Sequence, residues 1–115
     1  MRNLDLIKIT NYLKKKTREL DAPIWGELAE RLERSKNKLC AVNISRINRY
    51  TENGDTVTIP GKVLGSGILD HKVSVAAFSF SKGAKQRIES VGGECIPLFK
   101  IVDKNPNGKN LKIIE

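Results

Sequence analysis

The sequence predicts an α/β protein: a small, irregular strand-helix domain with short strands and a helical arm at its amino-terminal end. Apolar residues recur at helical spacing through the first 35 residues and again at 81–91. Between turn-forming Gly, Pro and Asn residues lie short apolar or alternating stretches. The 115 residues, 39% of them hydrophobic, suffice for one core. We expect a single domain at 1–115, in which a helical arm at 1–35 packs on or extends from an α/β core at 40–115.

The arm is predicted to contain two helices. One side of a 3.6-residue period is apolar over the first twenty residues, at Leu6, Ile9, Leu13 and Leu20. Residues 21–23 interrupt this pattern, and Pro23 suits the first turn of a second helix. The apolar stripe of that helix comprises Ile24, Trp25, Leu28, Ala29 and Leu32. We expect Trp25 to anchor the core from this stripe, and stacking on a base is the alternative.

The second helix is expected to balance its own charges. Glu27 stands four residues before Arg31, and Glu30 four residues before Arg34, which is the order that favours ion pairs on a helix. This helix therefore offers little unpaired charge to a partner.

The stretch from residue 34 to residue 51 has no acidic residue. Residues 35–38 are polar and predict a loop. Asn43 then stands where it can cap a short helix that turns Ile44 and Ile47 inward. Arg46 and Arg49 of that helix are expected to face outward.

The middle of the chain predicts a turn, a strand and a loop. We expect the turn at 52–55 and a short alternating strand at 56–59. The glycine-rich segment 60–67 is expected to form turns with positive φ, at Gly65 among others, and to approach a neighbouring backbone closely. It is not a Walker phosphate loop, because Val63 follows Gly61 and Lys62 where Ser or Thr is required.

The remainder alternates strands and helices. Residues 72–80 predict a buried strand. Ser81 can cap a helix that buries Ala84, Ile88 and Val91 and ends at Gly92. A strand at 94–96, one or two helical turns over 98–102, a turn at 105–108 and a strand at 111–114 follow.

The charge balance indicates a polyanionic partner. Lys and Arg number 21 against 13 Asp and Glu, which leaves a net charge of +8. Such a surface attracts nucleic acid, because neutralised phosphates release their condensed counterions. A basic protein that is merely soluble is the alternative for net charge alone.

The candidate RNA-binding residues are cations without an evident acid partner, together with Ser and Asn donors that suit phosphate oxygens and ribose hydroxyls. For the first helix a solvated face is the alternative. We expect the main RNA-binding surface to combine that helix with the acid-free stretch up to Arg49. The candidates are Lys14, Lys15, Arg18, Ser35, Lys36, Asn37, Lys38, Asn43, Arg46, Arg49, Lys62, Lys82, Lys85 and Lys109.

No catalytic, metal or cofactor site is predicted. His71 is the sole histidine and is expected in a loop or at a strand edge beside Asp70. Cys40 and Cys95 stand far apart, so we expect reduced thiols in a cytoplasm, with Cys95 as a small core residue. No apolar run approaches the ~20 residues of a membrane span, and the first residues do not resemble a signal peptide. We therefore expect no enzyme, no small-molecule substrate and no membrane partner.

Four segments carry a resemblance to a known family. They are VNISRI at 42–47, VTIPGKVLGSG at 57–67, VAAFSFS at 75–81 and GGE at 92–94. In this order they closely resemble ribosomal protein eighteen-e, an archaeal and eukaryotic large-subunit family related to bacterial large-subunit protein fifteen. The similarity runs from end to end, and the length favours the archaeal form. Cys40 and Ala41 depart from the family by replacing a more basic pair, and Gly83 is an unfavourable helix residue.

The resemblance implies a structural constituent of the large ribosomal subunit. Its implied partners are large-subunit ribosomal RNA, which it would bind and stabilise, and neighbouring large-subunit proteins. The implied location is the cytoplasmic ribosome. A free-standing RNA-binding regulator or chaperone is the alternative function, and co-sedimentation with the large subunit distinguishes the two.

Overall fold

Strands and helices alternate along most of the chain. The computed structural model describes residues 4–34 and 39–115. Within them the helices are α1 (Leu4–Glu19), α2 (Pro23–Arg34), α3 (Ile44–Tyr50), α4 (Lys82–Ser90) and α5 (Leu98–Lys104). The strands are β1 (Cys40–Asn43), β2 (Asp55–Leu64), β3 (Val73–Phe80), β4 (Glu94–Pro97) and β5 (Leu111–Ile113). The predicted α/β class, with a helix at the amino-terminal end, is confirmed.

All strand pairs in the sheet are parallel, and the order is β1-β2-β3-β4. One edge of β2 pairs with β3, from Asp55 to Val63. Along its other edge, residues 56–58 pair with β5 and residues 61–64 pair with β1. The carboxyl ends of β1 to β4 therefore lie at one end of the sheet, and the chain leaves that end toward α3, the segment 65–72, α4 and α5.

Each face of the sheet buries its own apolar cluster. Helices α1, α2 and α5 cover one face, where Leu13, Trp25 and Ile101 pack with Ala76 of β3. Helices α3 and α4 cover the other face, with Val57 of β2 among the residues that they bury. Helices α1 and α3 thus lie on opposite faces of the sheet.

The helical predictions are largely confirmed. Trp25 is fully buried, and its indole N–H donates to the carbonyl oxygen of Pro106 at 2.8 Å. The ion pair between Arg31 and Glu27 forms at 2.9 Å. The Ser81 hydroxyl accepts the backbone N–H of Ala84 at 3.1 Å and so caps α4, as predicted.

The end of α4 and the orientation of α3 also agree with the sequence. Gly92, with φ of +83°, follows α4 in the left-handed conformation that glycine favours at a helix end. In α3, Ile44 and Ile47 are buried, while Arg46 and Arg49 are exposed.

The predicted boundary between strand and loop at residue 60 is wrong. Strand β2 continues through Pro60 and Gly61 to Leu64, with an irregularity in its pairing to β3 between Ile59 and Lys62. A side chain at Gly61 would overlap the carbonyl oxygen of Cys40 in β1. This glycine therefore serves the close contact of two strands, and β1 itself was not predicted.

The expected positive φ at Gly65 is also wrong. In the segment after β2, Gly67 has a φ of +102°, whereas Gly65 does not lie in that region. The close backbone approach expected of this segment is confirmed, because a side chain at Gly65 would meet the start of α4.

Candidate nucleic-acid interface

Hydrogen bonds gather several polar residues at the carboxyl end of the sheet. The Ser66 backbone N–H donates to Asn43 Oδ1 at 3.3 Å, and the Ser45 N–H donates to the Ser66 carbonyl at 3.2 Å. The Ser81 N–H donates to the Val63 carbonyl at 2.9 Å. The segment after β2 thereby lies between the starts of α3 and α4, next to Lys82.

The predicted side-chain cap of α3 by Asn43 is wrong. Asn43 does stand immediately before the helix with an extended backbone, but its side chain makes no capping bond. Its carboxamide oxygen accepts the Ser66 N–H instead, because the segment after β2 approaches this side chain from the neighbouring strand. Asn43 consequently stabilises a tertiary contact between β1 and the segment after β2.

Lys62 is exposed on the sheet between two small neighbours. The register pairs Lys62 of β2 with Ala41 of β1 and with Ser79 of β3. Ala41 is exposed and Ser79 is half-buried, so no bulky side chain flanks the lysine along this row. Among the described residues Lys62 has no ion-pair partner. A polyanion backbone can therefore approach the sheet closely at this row.

Two further cations lie on α4. Lys82 and Lys85 are exposed in its first turns, and neither forms an ion pair in the part of the chain that the structure describes. Together with Lys62 they form a set of three unpaired lysines on β2 and α4, which we call the sheet-end lysines. Their charge is available to an external anion.

The expectation that the α1 cations lack acid partners is wrong for two of them. Lys14 pairs with Glu33 of α2 at 2.8 Å, and Lys15 lies 3.9 Å from Glu19. Glu33 reaches Lys14 because α2 folds back against α1, which the linear sequence does not reveal. Arg18 is exposed and has no ion pair within residues 4–34 and 39–115.

Lys16, which was not a candidate, is held on the same helix. Its ammonium lies 3.2 Å from Glu19, and this hydrogen bond raises the pKa of Lys16. The same ammonium lies 5.6 Å from the centre of the Tyr12 ring. Helix α1 therefore neutralises part of its own positive charge.

On α3, one arginine is engaged and one is open. Arg46 Nε donates to the Glu115 carbonyl at 2.9 Å, and its guanidinium lies 5.4 Å from the centre of the Tyr50 ring. Arg49 is exposed and forms no ion pair with any described residue. Helices α1 and α3, which carry these cations, pack on opposite faces of the sheet, and the sequence did not predict this arrangement.

Lys109 lies away from the sheet-end lysines. Its backbone N–H donates to Asn105 Oδ1, and its carbonyl accepts from Asn105 Nδ2, within the turn that precedes β5. Because Leu111 pairs with Thr56, this turn lies at the amino-terminal end of β2. The candidates Ser35, Lys36, Asn37 and Lys38 lie outside the described residues.

His71 lies in a loop, as predicted, and its side chain packs beside the end of α3. Its Nδ1 lies 2.8 Å from Asp70 Oδ1, a hydrogen bond that lowers the pKa of Asp70, and its Nε2 lies 2.7 Å from Thr51 Oγ1. The buried Thr51 hydroxyl also lies 2.7 Å from the Ile47 carbonyl oxygen. This chain of bonds attaches the segment before β3 to the end of α3.

The cysteine thiol at residue 95 and the possible metal ligands show no unusual arrangement among the described residues. Cys95 is half-buried against the α3–α4 cluster, and burial raises the pKa of its thiol to about 11. Within residues 4–34 and 39–115, no group of three His, Cys, Asp or Glu side chains is placed to hold a metal ion. No helix in that part of the chain is both long and apolar enough to cross a membrane.

An aromatic groove between α1 and the sheet was not predicted. It has a volume of about 670 Å³. The sequence interpretation placed Trp25 in the core and residues 72–80 in a buried strand, and it made no assignment for Phe99, whose side chain is half exposed. No local pattern in the sequence marks this groove, because its walls come from separate elements of the fold. The lining includes Lys8, Tyr12, Phe78, Ser79 and Phe99.

The family comparison and the similar proteins agree on one ribosomal protein family. The family described as "Ribosomal protein 60S L18 and 50S L18e" matches residues 2–115. The chain is 54% identical over 113 residues to large ribosomal subunit protein eL18 of Methanothermobacter thermautotrophicus, covering 98% of this chain and 93% of that protein. It is 45% identical over 102 residues to the eL18 protein of Methanococcus maripaludis, covering 89% and 85% respectively. For the eL18 protein of Methanospirillum hungatei the identity is 41% over 112 residues, covering 97% and 93%.

Proposed function

Since this chain belongs to the ribosomal protein family of 60S L18 and 50S L18e, we propose that it binds and stabilises folded ribosomal RNA through phosphate and ribose contacts. Membership makes it a structural constituent of the large ribosomal subunit, of the archaeal eL18 type. The proposed partners are large-subunit ribosomal RNA and neighbouring ribosomal proteins, in the cytoplasmic ribosome. We also propose that residues 1–115 form a single domain. A relation to bacterial large-subunit protein fifteen is proposed as well, and it rests on the resemblance of this chain's motifs to the family.

The observation that carries the proposal is the set of sheet-end lysines. Lys62, Lys82 and Lys85 are exposed and unpaired among the described residues, while Lys14, Lys15 and Arg31 have acid partners. An unpaired surface cation is best neutralised by an external anion, and phosphate oxygens supply that charge at high density. The small residues beside Lys62 leave room for such a backbone.

The mode of recognition follows from the geometry of RNA. The deep, narrow major groove of A-form RNA excludes side chains, so contacts go to phosphates and 2′-hydroxyls. We assign the principal contacts to the sheet-end lysines, Asn43, Arg46 and Arg49. Lys14, Lys15, Arg18 and Lys109 are proposed as peripheral contacts, and Ser35, Lys36, Asn37 and Lys38 remain in the proposal on sequence grounds alone.

The test is a salt titration of RNA binding. The full chain is mixed with deproteinised large-subunit ribosomal RNA at a series of salt concentrations, and the association constant is measured at each. With about six phosphates neutralised, the plot of log K against log salt should have a slope of about −4 to −5. A slope near zero would contradict phosphate-dominated binding. Near-stoichiometric co-sedimentation with the large subunit separates this function from that of a free regulator.

A further inference from the structure

The aromatic groove lies between two neighbouring strands, β3 and β4, whose following helices pack on opposite faces of the sheet. After β3 the chain enters α4, which packs on one face of the sheet, and after β4 it enters α5, which packs on the other. Two neighbouring strands followed by helices on opposite faces leave a crevice between their carboxyl ends. The groove is lined there by Phe78 and Ser79 from β3 and by residues 97–99 from β4 and α5. Ligands of open α/β sheets bind in crevices of this kind.

The lining suits a flat, partly polar group. Tyr12, Phe78 and Phe99 supply aromatic rings, and the Phe99 side chain is exposed to 50%. Asp5 and Lys8 of α1 add one acceptor group and one cation to the wall. The volume of about 670 Å³ falls within the range of sites that enclose small organic groups. A nucleobase has the required combination of a π face and a polar edge.

The groove also adjoins the cationic row on the sheet. Ser79 lines the groove and is the register neighbour of Lys62, whose ammonium group has no ion-pair partner among the described residues. Lys8 carries a second positive charge on the wall of the groove. A polynucleotide whose phosphates contact these lysines would pass the mouth of the groove. The positive charge on both sides favours RNA over an apolar protein segment as the occupant.

We propose that the groove between α1 and the carboxyl ends of β3 and β4 receives one unstacked nucleobase of the ribosomal RNA. Phe99 is the exposed stacking surface, and Lys62 and Lys8 contact the flanking phosphates. This inference rests on the proposed function, since it names the single-stranded element that the chain recognises. Unstacked bases in loops and bulges are the parts of a folded RNA that proteins bind by stacking.

The experiment compares three substitutions of one residue in the full chain. Phe99→Ala removes the ring, Phe99→Leu keeps apolar bulk without a π face, and Phe99→Tyr keeps the ring. Affinity for deproteinised large-subunit ribosomal RNA should fall about tenfold for the Ala and Leu variants and stay near wild type for the Tyr variant. The salt slope should not change, because no phosphate contact is removed. Thermal melting should show all variants folded, since Phe99 is half exposed.

Matched controls and a direct readout complete the test. Ile68→Ala removes another exposed apolar side chain, 72% exposed and outside the lining of the groove, and should leave RNA affinity unchanged. Ultraviolet crosslinking of the wild-type complex, followed by nuclease digestion and mass spectrometry, should place a nucleotide on a peptide containing Phe99 or Tyr12.

Three results would overturn the inference. If Phe99→Leu binds RNA like wild type, apolar bulk and not stacking is what the groove needs. If Phe99→Ala binds RNA normally but fails to enter the large subunit, the occupant is a neighbouring protein. If Phe99→Ala both binds RNA and enters the large subunit like wild type, the groove is not a docking site. Absence of RNA binding by the wild-type chain would instead refute the proposed function and the base-binding inference with it.

Discussion

Gly65 and Gly83 meet backbone against backbone where β2 ends and α4 begins. A Cβ atom at Gly65 would lie 2.9 Å from the carbonyl carbon of Gly83 and 2.9 Å from the backbone nitrogen of Ala84. Among the described residues, apart from its chain neighbours and the backbone of α4, a Cβ atom at Gly83 would have only the Gly65 Cα within 4 Å, at 3.9 Å. The two glycines of this contact therefore differ: Gly65 has no room for a side chain, whereas Gly83 does.

This asymmetry predicts opposite outcomes for two identical substitutions. Gly65→Ala should lower the free energy of unfolding by about 1–3 kcal/mol, because the rigid backbone of α4 must move to admit the methyl group. Gly83→Ala should leave stability unchanged or raise it by up to about 1 kcal/mol, because alanine is the better helix former. Urea denaturation of both variants measures the difference, and equal effects would contradict the contact.

A buried hydroxyl predicts a stabilising substitution. Thr58 of β2 is fully buried, and its Oγ1 has no hydrogen-bond partner among the described residues. Thr58→Val keeps the shape and removes the unsatisfied group, so the free energy of unfolding should rise by about 1 kcal/mol.

Thr51 provides the matched control for this change. Its hydroxyl is within hydrogen-bond distance of the Ile47 carbonyl and of His71 Nε2, so Thr51→Val should lower the free energy of unfolding by about 1–3 kcal/mol. Chemical denaturation at neutral pH measures both. A loss of stability in Thr58→Val would indicate that its hydroxyl does have a partner.

Two carboxylates predict a fall in stability at acid pH. The hydrogen bond to His71 lowers the pKa of Asp70, and the hydrogen bond from the Glu52 backbone N–H lowers that of Asp55. A pKa below the ordinary value of 3.8 stabilises the folded state above that pH, and this stability is lost as the pH falls through the lowered value. The double variant Asp55→Asn, Asp70→Asn should be less stable at pH 7, and its deficit against wild type should shrink below pH 3.8. Melting temperatures over a pH series measure this, and a constant deficit would contradict it.

The sheet-end lysines predict a change in the salt dependence of RNA binding. Replacing Lys62, Lys82 and Lys85 by Gln removes three charges, and the slope of log K against log salt should shrink by about 2–3 while stability changes little. The control is Lys104→Gln with Lys112→Gln, because these cations pair with Glu94 and Asp55. The control variant should keep most of the slope. If the two variants behave alike, the RNA does not contact this end of the sheet.

Local signals in the sequence were sufficient for most helices. The helix after Ser81 was predicted from its cap, its apolar spacing and Gly92, and each of these acts within a few residues of the backbone it stabilises. The burial of Trp25 followed in the same way from the stripe of α2. Patterns that span only a few residues can be interpreted without knowing the rest of the fold.

Contacts between distant residues could not be predicted in this way. Pro60 and Gly61 are turn-forming residues, yet they continue a strand because Cys40 of β1, 21 residues earlier in the chain, pairs with Gly61. Lys14 appeared unpaired because Glu33 reaches it only after α2 has folded back on α1. The groove at Phe99 is invisible in the sequence for the same reason, since its walls come from α1, β3 and α5.

The α/β class, most helices, the excess of positive charge and the family resemblance could all be predicted from the order of the residues. Each of these depends on residue type and on spacing of a few residues, which are local properties of the chain. The pairing of individual cations and the positions of α1 and α3 on opposite faces of the sheet became evident from the three-dimensional fold. The same holds for the apolar side chains that form the groove. These properties depend on which distant segments pack together, because ion pairs and steric contacts act through space and not along the chain.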